Sequence, residues 1–554
     1  MSSMFLEEDY VIVRCSVEIL FHFGGEAASK YLSDKRDKSP LIHSTSSFID
    51  FLKSLLNFDE INEGIKSLKE TQNYCLTKKQ TLRREKCNGD DLRLLILDIF
   101  CTDAELFEAI LNLAKQGFKD CVKGAFLIQK SWKQYKKIYQ KVVKIGGEFL
   151  ELNCNGTKLE HLNNSVEVSE SLDANQEAFK SNSIKEVQAA IAFGYGLFNM
   201  VVSLIPPKIL QLAHFFGFNG DQELGLQCLT YVCNSQNGKA EMSRLGLLWY
   251  HAIIRPMYAL DDDIDSGLKE ASKLFCALNE NLRTSAVAYY FHGLLLRCKG
   301  DFSMAHKFLN MALEKPLAFK EVRMFCDYEI GWCHILEMNW DGAIEAFSRV
   351  KDAAPMSQYF YVYLLAVLYG VQDRASKSSI YYRFVPNMIK QKTPLTVFLT
   401  RKAISCYESP PDVTESLVLL LEIIYLWESF SSYNEATLFC FIPHLEKSVK
   451  DEYLGLKLFL SACIYQRMGK LTKSVECFKT AMNTSVNGDK HVYPHASYEL
   501  AIISLKMCQF QRAKEYLQKA KETCNGCDFE NKIKMKINIA TNKLQVKLKN
   551  SIHS

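Results

Sequence analysis

The sequence predicts an all-α superhelix of stacked antiparallel helix pairs around a buried central helical hairpin. Three observations predict it. Between Glu186 and Lys208 no charged residue occurs, and this stretch ends at Pro206-Pro207. A helix polar on no side must be covered on every side or lie in lipid. In the second half, small residues recur at fixed offsets of 12 and 7 in four windows. Only 12 prolines in 554 residues, with 48% apolar and 12% aromatic content, favour long helices over many short strands and exclude wholesale disorder.

From the start of the chain, Tyr10 to Phe23 reads as a helix closed by Gly24-Gly25, with Glu26 to Leu32 as its return. Phe48, Phe51, Leu52, Leu55 and Leu56 repeat at helical spacing, as do Ile61, Ile65, Leu68 and Tyr74. Thr77 to Lys86 is polar and basic, a loop or an exposed helix end. Leu92 to Phe107 and Leu111 to Val122 resume the pattern. Lys123 to Lys144 sets Ile128, Trp132, Tyr135, Tyr139 and Val142 on one stripe beside six lysines from Lys130 onward. Lysines beside aromatics can mark a nucleic-acid or acidic-lipid surface. Aromatics at a spacing of three and four face a core, however, so this is read as a bundle helix with its lysines in water.

Residues 1–150 are thus expected to form N-terminal helical hairpins. Residues 151–183, rich in Asn, Ser and Glu without periodicity, are expected to be a flexible polar excursion. Residues 184–235 hold the central hairpin: a helix over Lys185 to Ser203, broken by Pro206-Pro207, then a second over roughly Lys208 to Phe216. The neutral stretch holds about nine strongly apolar residues, worth roughly −3 to −5 kcal/mol on an insertion scale. Gln188, Asn199, its Gly and Ser residues and the Pro-Pro end offset most of that, so burial among helices is expected and a transmembrane span is not. Gly194 and Gly196 lack the third glycine of a dinucleotide fingerprint and sit mid-helix, where they allow a close helix crossing.

Residues 240–430 and 431–554 are expected to be two blocks of helical repeats, with a break over Tyr407 to Val413. The four windows are Gly293, Ala305, Ala312; Gly331, Ala343, Val350; Ala462, Ser474, Ala481; and Ala501, Ala513, Ala520. Leu309, Phe347, Phe478 and Leu517 each lie three before the last small residue, and Pro316 and Pro355 close the first two windows. This is the tetratricopeptide pattern, in which small residues let the two helices of a hairpin approach closely. Positions 5 and 9 of each first helix normally line the concave surface. Here they are Tyr290 and Leu294, Tyr328 and Trp332, Phe459 and Cys463, Tyr498 and Ile502, a candidate partner groove. None is the Lys or Asn that clamps a chaperone's C-terminal carboxylate, so such tails are not expected to bind. An apolar groove of this kind either receives an amphipathic partner helix or is filled by the chain's own helices.

Sites of chemistry are not expected. Asp261, Asp263 and Asp265 match the first ligand positions of a calcium loop, but Ser266 stands where Gly is required and Ser272 where Glu is required. Acids capping the following helix explain the run. Cys524-x-x-Cys527 with His491 and His495 is one metal pair in reversed order, and Asn525-Gly526 reads as a turn. No nucleophile elbow, phosphate loop or HExxH occurs, and His214, His251, His292 and His334 stand alone on helical segments. Catalytic, cofactor-binding and metal-ligating residues are therefore none. The net charge of +4 predicts no nucleic-acid field. The acidic start MSSMFLEEDYVIV is unlike a signal peptide, which places the nineteen cysteines in a reducing compartment as free, mostly buried thiols.

The segment GYGLFNMVVSLIPPKILQLAHFFGFNGDQELGLQCL, Gly194 to Leu229, resembles the characteristic block of the tetratricopeptide repeat protein 39 family, which includes the yeast protein Iml of outer membrane and inclusion-body clearance. Val122 to Tyr139, Leu247 to Asp261 and Tyr328 to Lys351 are most similar to the C-type member, and Tyr493 to Ile537 is similar too. The resemblance covers nearly the whole chain. It implies an all-helical scaffold or adaptor without a catalytic centre, cofactor or agreed binding residues, whose partners are other proteins. It further implies a cytoplasmic, cilium-associated place in cilium organisation. The alternative it offers is peripheral contact with an organelle or lipid-droplet surface, in lipid homeostasis or protein clearance.

Overall fold

The computed structural model describes residues 5–85, 90–115, 117–146, 174–204, 220–235, 238–258, 261–315, 320–354, 357–389, 392–484 and 489–553. Every regular element among them is helical. Helices neighbouring in sequence pack as pairs, and the pairs stack on one another. The chain forms two compact units, Met1–Leu248 with Ala277–Ser285, and Trp249–Cys276 with Ala286–Ser554.

In the first unit the helices Pro40–Leu56, Ile61–Glu85, Asp90–Ala114 and Phe118–Gly146 pack in succession. The opening helix Glu7–Leu32 breaks at Gly24, whose φ of 87° is open to glycine and strained for other residues. Ile128, Tyr135 and Val142 are buried on the lysine-rich helix, while Lys130 and Lys123 reach Glu105 at 2.5 Å and Glu108 at 2.8 Å. Its stripe faces a core and its lysines face water or carboxylates.

The uncharged stretch lies in the helix Ala174–Leu204, which also takes in the end of the segment read as a polar excursion. Val187, Ile191, Phe193, Phe198 and Val202 are all buried. A Cβ on Gly196 would lie 2.9 Å from Cys228 Cβ, and one on Gly225 would lie 3.1 Å from Gly196 O. The two glycines thus allow a close crossing with the helix Gln222–Cys233. Gly194 makes room for a buried carboxylate instead: Asp103 accepts from Tyr135 Oη at 2.7 Å and pairs with Lys239 at 3.0 Å. The expected return helix over Lys208 to Phe216, the Pro-Pro break and most of 151–183 lie outside the described residues.

In the second unit each of the four repeat windows is a helical hairpin. The pairs are Ala286–Cys298 with Phe302–Leu313, Lys320–Leu336 with Trp340–Ala353, Asp451–Arg467 with Leu471–Thr484, and Val492–Lys506 with Phe510–Thr523. A Cβ on Gly293 or Gly331 would come within 2.6 Å of Leu309 or 2.7 Å of Phe347, so the small residue is dictated by close approach.

A fifth hairpin, Gln358–Val371 with Ala375–Met388, carries the same register in Ala366, Ser378 and Val385, with Tyr382 three before the last. Ser378 Oγ donates to Ala366 O at 2.8 Å, as Ser474 Oγ does to Ala462 O at 2.8 Å. Its first helix is apolar on all sides, which hides the register in the sequence.

The five hairpins share one turn. Seven residues after the small residue, Gly300, Met338, Asp373, Gly469 and Cys508 all have φ between 56° and 78°. The next residue's N–H bonds the carbonyl five back: Asp301 to Leu296, Asn339 to His334, Arg374 to Tyr369, Lys470 to Tyr465 and Gln509 to Ser504, at 2.8–3.0 Å. This is a Schellman close of the first helix. The unit's core is centred on the helix Val413–Leu426, buried from Thr414 to Leu426. The C-terminal helix Glu530–His553 packs against the last hairpin.

Candidate interaction surface

The eight groove positions are inside the second unit rather than on its surface. Tyr290, Leu294, Trp332, Phe459, Cys463, Tyr498 and Ile502 are buried, and Tyr328 is half-buried. Tyr290 meets Phe325 at 5.7 Å between ring centres, and Tyr328 and Trp332 each meet Phe347 edge-on. Phe459 is met edge-on by Tyr425 at 4.8 Å. Cys463, Tyr498 and Ile502 line a cavity of about 40 Å³ with Tyr425, Glu428 and Lys536. The chain's own side chains therefore occupy the surface on which a partner helix would lie.

Two buried charged centres hold those covering elements. Glu428, itself at φ 56°, accepts from Lys536 at 2.8 Å and pairs with Lys532 at 3.1 Å. Burial pushes its carboxyl upward, but the two ammonium groups outweigh this and hold it below its usual range. In the other centre, Lys402 lies 2.9 Å from Glu422 and 2.6 Å from Asp489, and His491 lies 3.3 Å from Glu422. Burial raises the Glu422 carboxyl. For Asp489 the upward push of burial is outweighed by Lys402 and His491, and its carboxyl is lowered. Removing one partner of a pair buried at this depth costs several kcal/mol. Both centres join residues far apart in sequence, and no motif announces them.

The sites considered from sequence are absorbed into packing. Asp263 pairs with Lys543 at 3.4 Å at the start of the helix Asp261–Cys276. Cys524 Sγ donates to Lys521 O at 3.3 Å and Cys527 Sγ to Asp528 O at 3.4 Å. Burial pushes the Cys527 thiol up to about 12. His495 faces the Tyr425 hydroxyl at 3.1 Å. His292 stacks between Phe275 and Phe308. His251 contacts Arg255 at 3.3 Å. His334 is not alone, since His306 and Glu337 lie beside it. His214 lies outside the described residues.

The second unit also exposes large apolar side chains on two neighbouring helices. Ile380 and Phe384, each 52% exposed, lie one turn apart on Ala375–Met388. Val397, Ile404 and Tyr407 are exposed on Pro394–Glu408, the helix packed against it. Arg374, Lys377, Arg383 and Lys392 are exposed on the same segments, against Asp373 and Glu408.

The sequence pattern of the Iml2/tetratricopeptide repeat protein 39 family matches residues 16–468. The chain belongs to that family. Membership makes this Iml2/tetratricopeptide repeat 39 protein a non-enzymatic, all-helical scaffold for protein–protein interaction, at the level of the family rather than of a member type. Among solved structures, the human IFIT1 dimer with PPP-AAAA is 13% identical, over 88% of this chain and 98% of that chain, with a TM-score of 0.32. Yeast Tom70 is 12% identical, over 98% and 96%, with a TM-score of 0.27. At those scores neither adds to the family match. Among the described residues no helix is long and apolar enough to cross a membrane.

Proposed function

We propose that this scaffold docks its partner proteins on the exposed face of Ala375–Met388 and Pro394–Glu408, and that the occupant is an amphipathic helix with acidic flanks. The observation that carries this reading is the pair Ile380 and Phe384, half in solvent one helical turn apart, with Val397, Ile404 and Tyr407 exposed on the helix packed against theirs. Large apolar side chains grouped at i and i+4 fit the anchors of a helix laid along them. Covering one of them is worth roughly 1.5–3 kcal/mol. The basic rim selects the charge of the partner. The groove positions Tyr290, Leu294, Tyr328, Trp332, Phe459, Cys463, Tyr498 and Ile502 then serve as core that stiffens the hairpins.

The test is titration with a fluorescent Leu/Glu amphipathic helical peptide and, separately, with phosphatidylserine vesicles. The intact chain is expected to bind the peptide, and Phe384→Asp to weaken binding by about tenfold or more at unchanged helix content. Binding to vesicles but not to peptide would replace the protein partner by a membrane surface, and binding to neither would end the proposal. For biological context we place the adaptor in the cytoplasm and in cilium organisation, on the resemblance of Val122–Tyr139, Leu247–Asp261 and Tyr328–Lys351 to the C-type member. Proximity labelling in ciliated cells tests that placement. Recovery of lipid-droplet or organelle-surface proteins without ciliary ones would move it to the peripheral-membrane alternative.

A further inference from the structure

We propose that His306, His334 and Glu337 form a divalent transition-metal site, best suited to zinc, that clamps the first two hairpins of the second unit together. His306 comes from the helix Phe302–Leu313; His334 lies in the last turn of the next helix, Lys320–Leu336, and Glu337 follows that helix. His306 Nε2 lies 2.8 Å from Glu337 Oε2, and His334 Nδ1 lies 3.7 Å from the same oxygen. The three donor atoms all lie within 4.8 Å of one another. Ligands about 2.0–2.1 Å from a tetrahedral zinc stand roughly 3.3 Å apart, so small rotations of these side chains suffice.

The chemistry of the donor set fits the metal. Two imidazoles and one carboxylate are a recurrent zinc set with a fourth position left for water or another ligand. The side chains are 20%, 22% and 33% exposed, enough for an ion to enter and for a water to complete the shell. Asn339 Nδ2 lies 3.2 Å from His334 Nδ1, a contact the metal replaces, while Asn339 Oδ1 stays bound to Gly342 N at 3.1 Å. The shared Schellman turn at Met338 sets Glu337 beside the imidazoles.

The chain has many thiols, so the decisive reading is a difference between variants. Chelator-stripped full-length protein is titrated with Co²⁺ and Zn²⁺, following Co²⁺ absorption and calorimetric stoichiometry. One site per chain is expected in the parent that is weakened by at least about tenfold in His306→Ala, in His334→Ala and in Glu337→Gln. Glu345→Gln, next along the surface, is expected to leave it unchanged. Zinc is expected to raise the melting temperature of the parent but not of Glu337→Gln, a surface change that leaves the fold in place. Equal metal affinity in the parent and in all three variants would overturn the proposal, as would a Co²⁺ spectrum with thiolate charge-transfer bands alone.

Discussion

His43 shows how a single side chain ties the first unit to pH. Its ring stacks on Tyr74 at 4.3 Å, its Nδ1 lies 2.9 Å from Thr71 Oγ1, and its Nε2 lies 3.5 Å from exposed Asp37. Burial, and then Arg36, lowers the ring from 6.5 to about 4, against a smaller opposing pull from Asp37. The unfolded chain takes up this proton near 6.5 and the folded chain only near 4. The stability that depends on the neutral ring is therefore whole above pH 6.5 and is lost as pH falls toward 4. His251, lowered to about 4 by burial and Arg255, acts with the same sign. Urea midpoints of the parent are expected to fall across this window. In His43→Asn, which keeps a polar partner for Thr71 without a titrating ring, the fall is expected to be shallower even though stability at pH 7 drops. An equally steep acid limb in the variant would remove His43 from the account.

At the scale of the element, the hairpin turn is where sequence and backbone disagree most. All five turns place one residue in the left-handed region, yet only Gly300 and Gly469 are the residue that region favours. A non-glycine residue there costs on the order of 1 kcal/mol, partly offset by the freedom glycine gains in the unfolded chain. Cys508 is exposed at φ 56°, and a Cβ on Gly469 at φ 70° would touch nothing within 4 Å, so both positions report backbone cost alone. Cys508→Gly is expected to raise stability by about 0.5–1 kcal/mol and Gly469→Ala to lower it by a similar amount. Denaturant midpoints check both, and a matching sign in the two variants would refute the argument. The turn also explains what was legible. Gly293, Gly331, Ala462 and Ala501 announce their hairpins because close helix approach restricts residue type. The turn positions do not, since Met338, Asp373 and Cys508 are tolerated there. The fifth hairpin escaped because Gln358–Val371 is apolar all round and Asp373 gives no turn signal. The groove rule expects Tyr290 through Ile502 on a concave face, and it carries no signal for Tyr425, Glu428 and Lys536 beside Cys463, Tyr498 and Ile502.

For the whole molecule, two cores were harder to read than one central hairpin. The uncharged run from Val187 marks its helix as buried, whereas Val413–Leu426 is equally buried and carries Glu415 and Glu422. Charge normally signals surface; Glu422 is tolerated inside by distant Lys402, and Glu415 by the N–H groups of Asp412 and Lys450 and by the Lys450 ammonium. Each core therefore has its own sensitive position. A Cβ at Gly194 would come within 1.9 Å of Asp103 Oδ1 and 2.6 Å of Tyr135 Oη. Gly194→Ala is expected to cost roughly 1–3 kcal/mol as an overpacking change. Lys402→Met strands two buried carboxylates and is expected to cost about 3–5 kcal/mol. The loss is expected to stay within the unit that holds each position. Hydrogen exchange should quicken in the helices of Met1–Leu248 for Gly194→Ala and in those of Ala286–Ser554 for Lys402→Met. If either substitution instead quickened exchange evenly along the whole chain, the two cores would be one cooperative body, and the helix at Ala174–Leu204 would have no core of its own to organise.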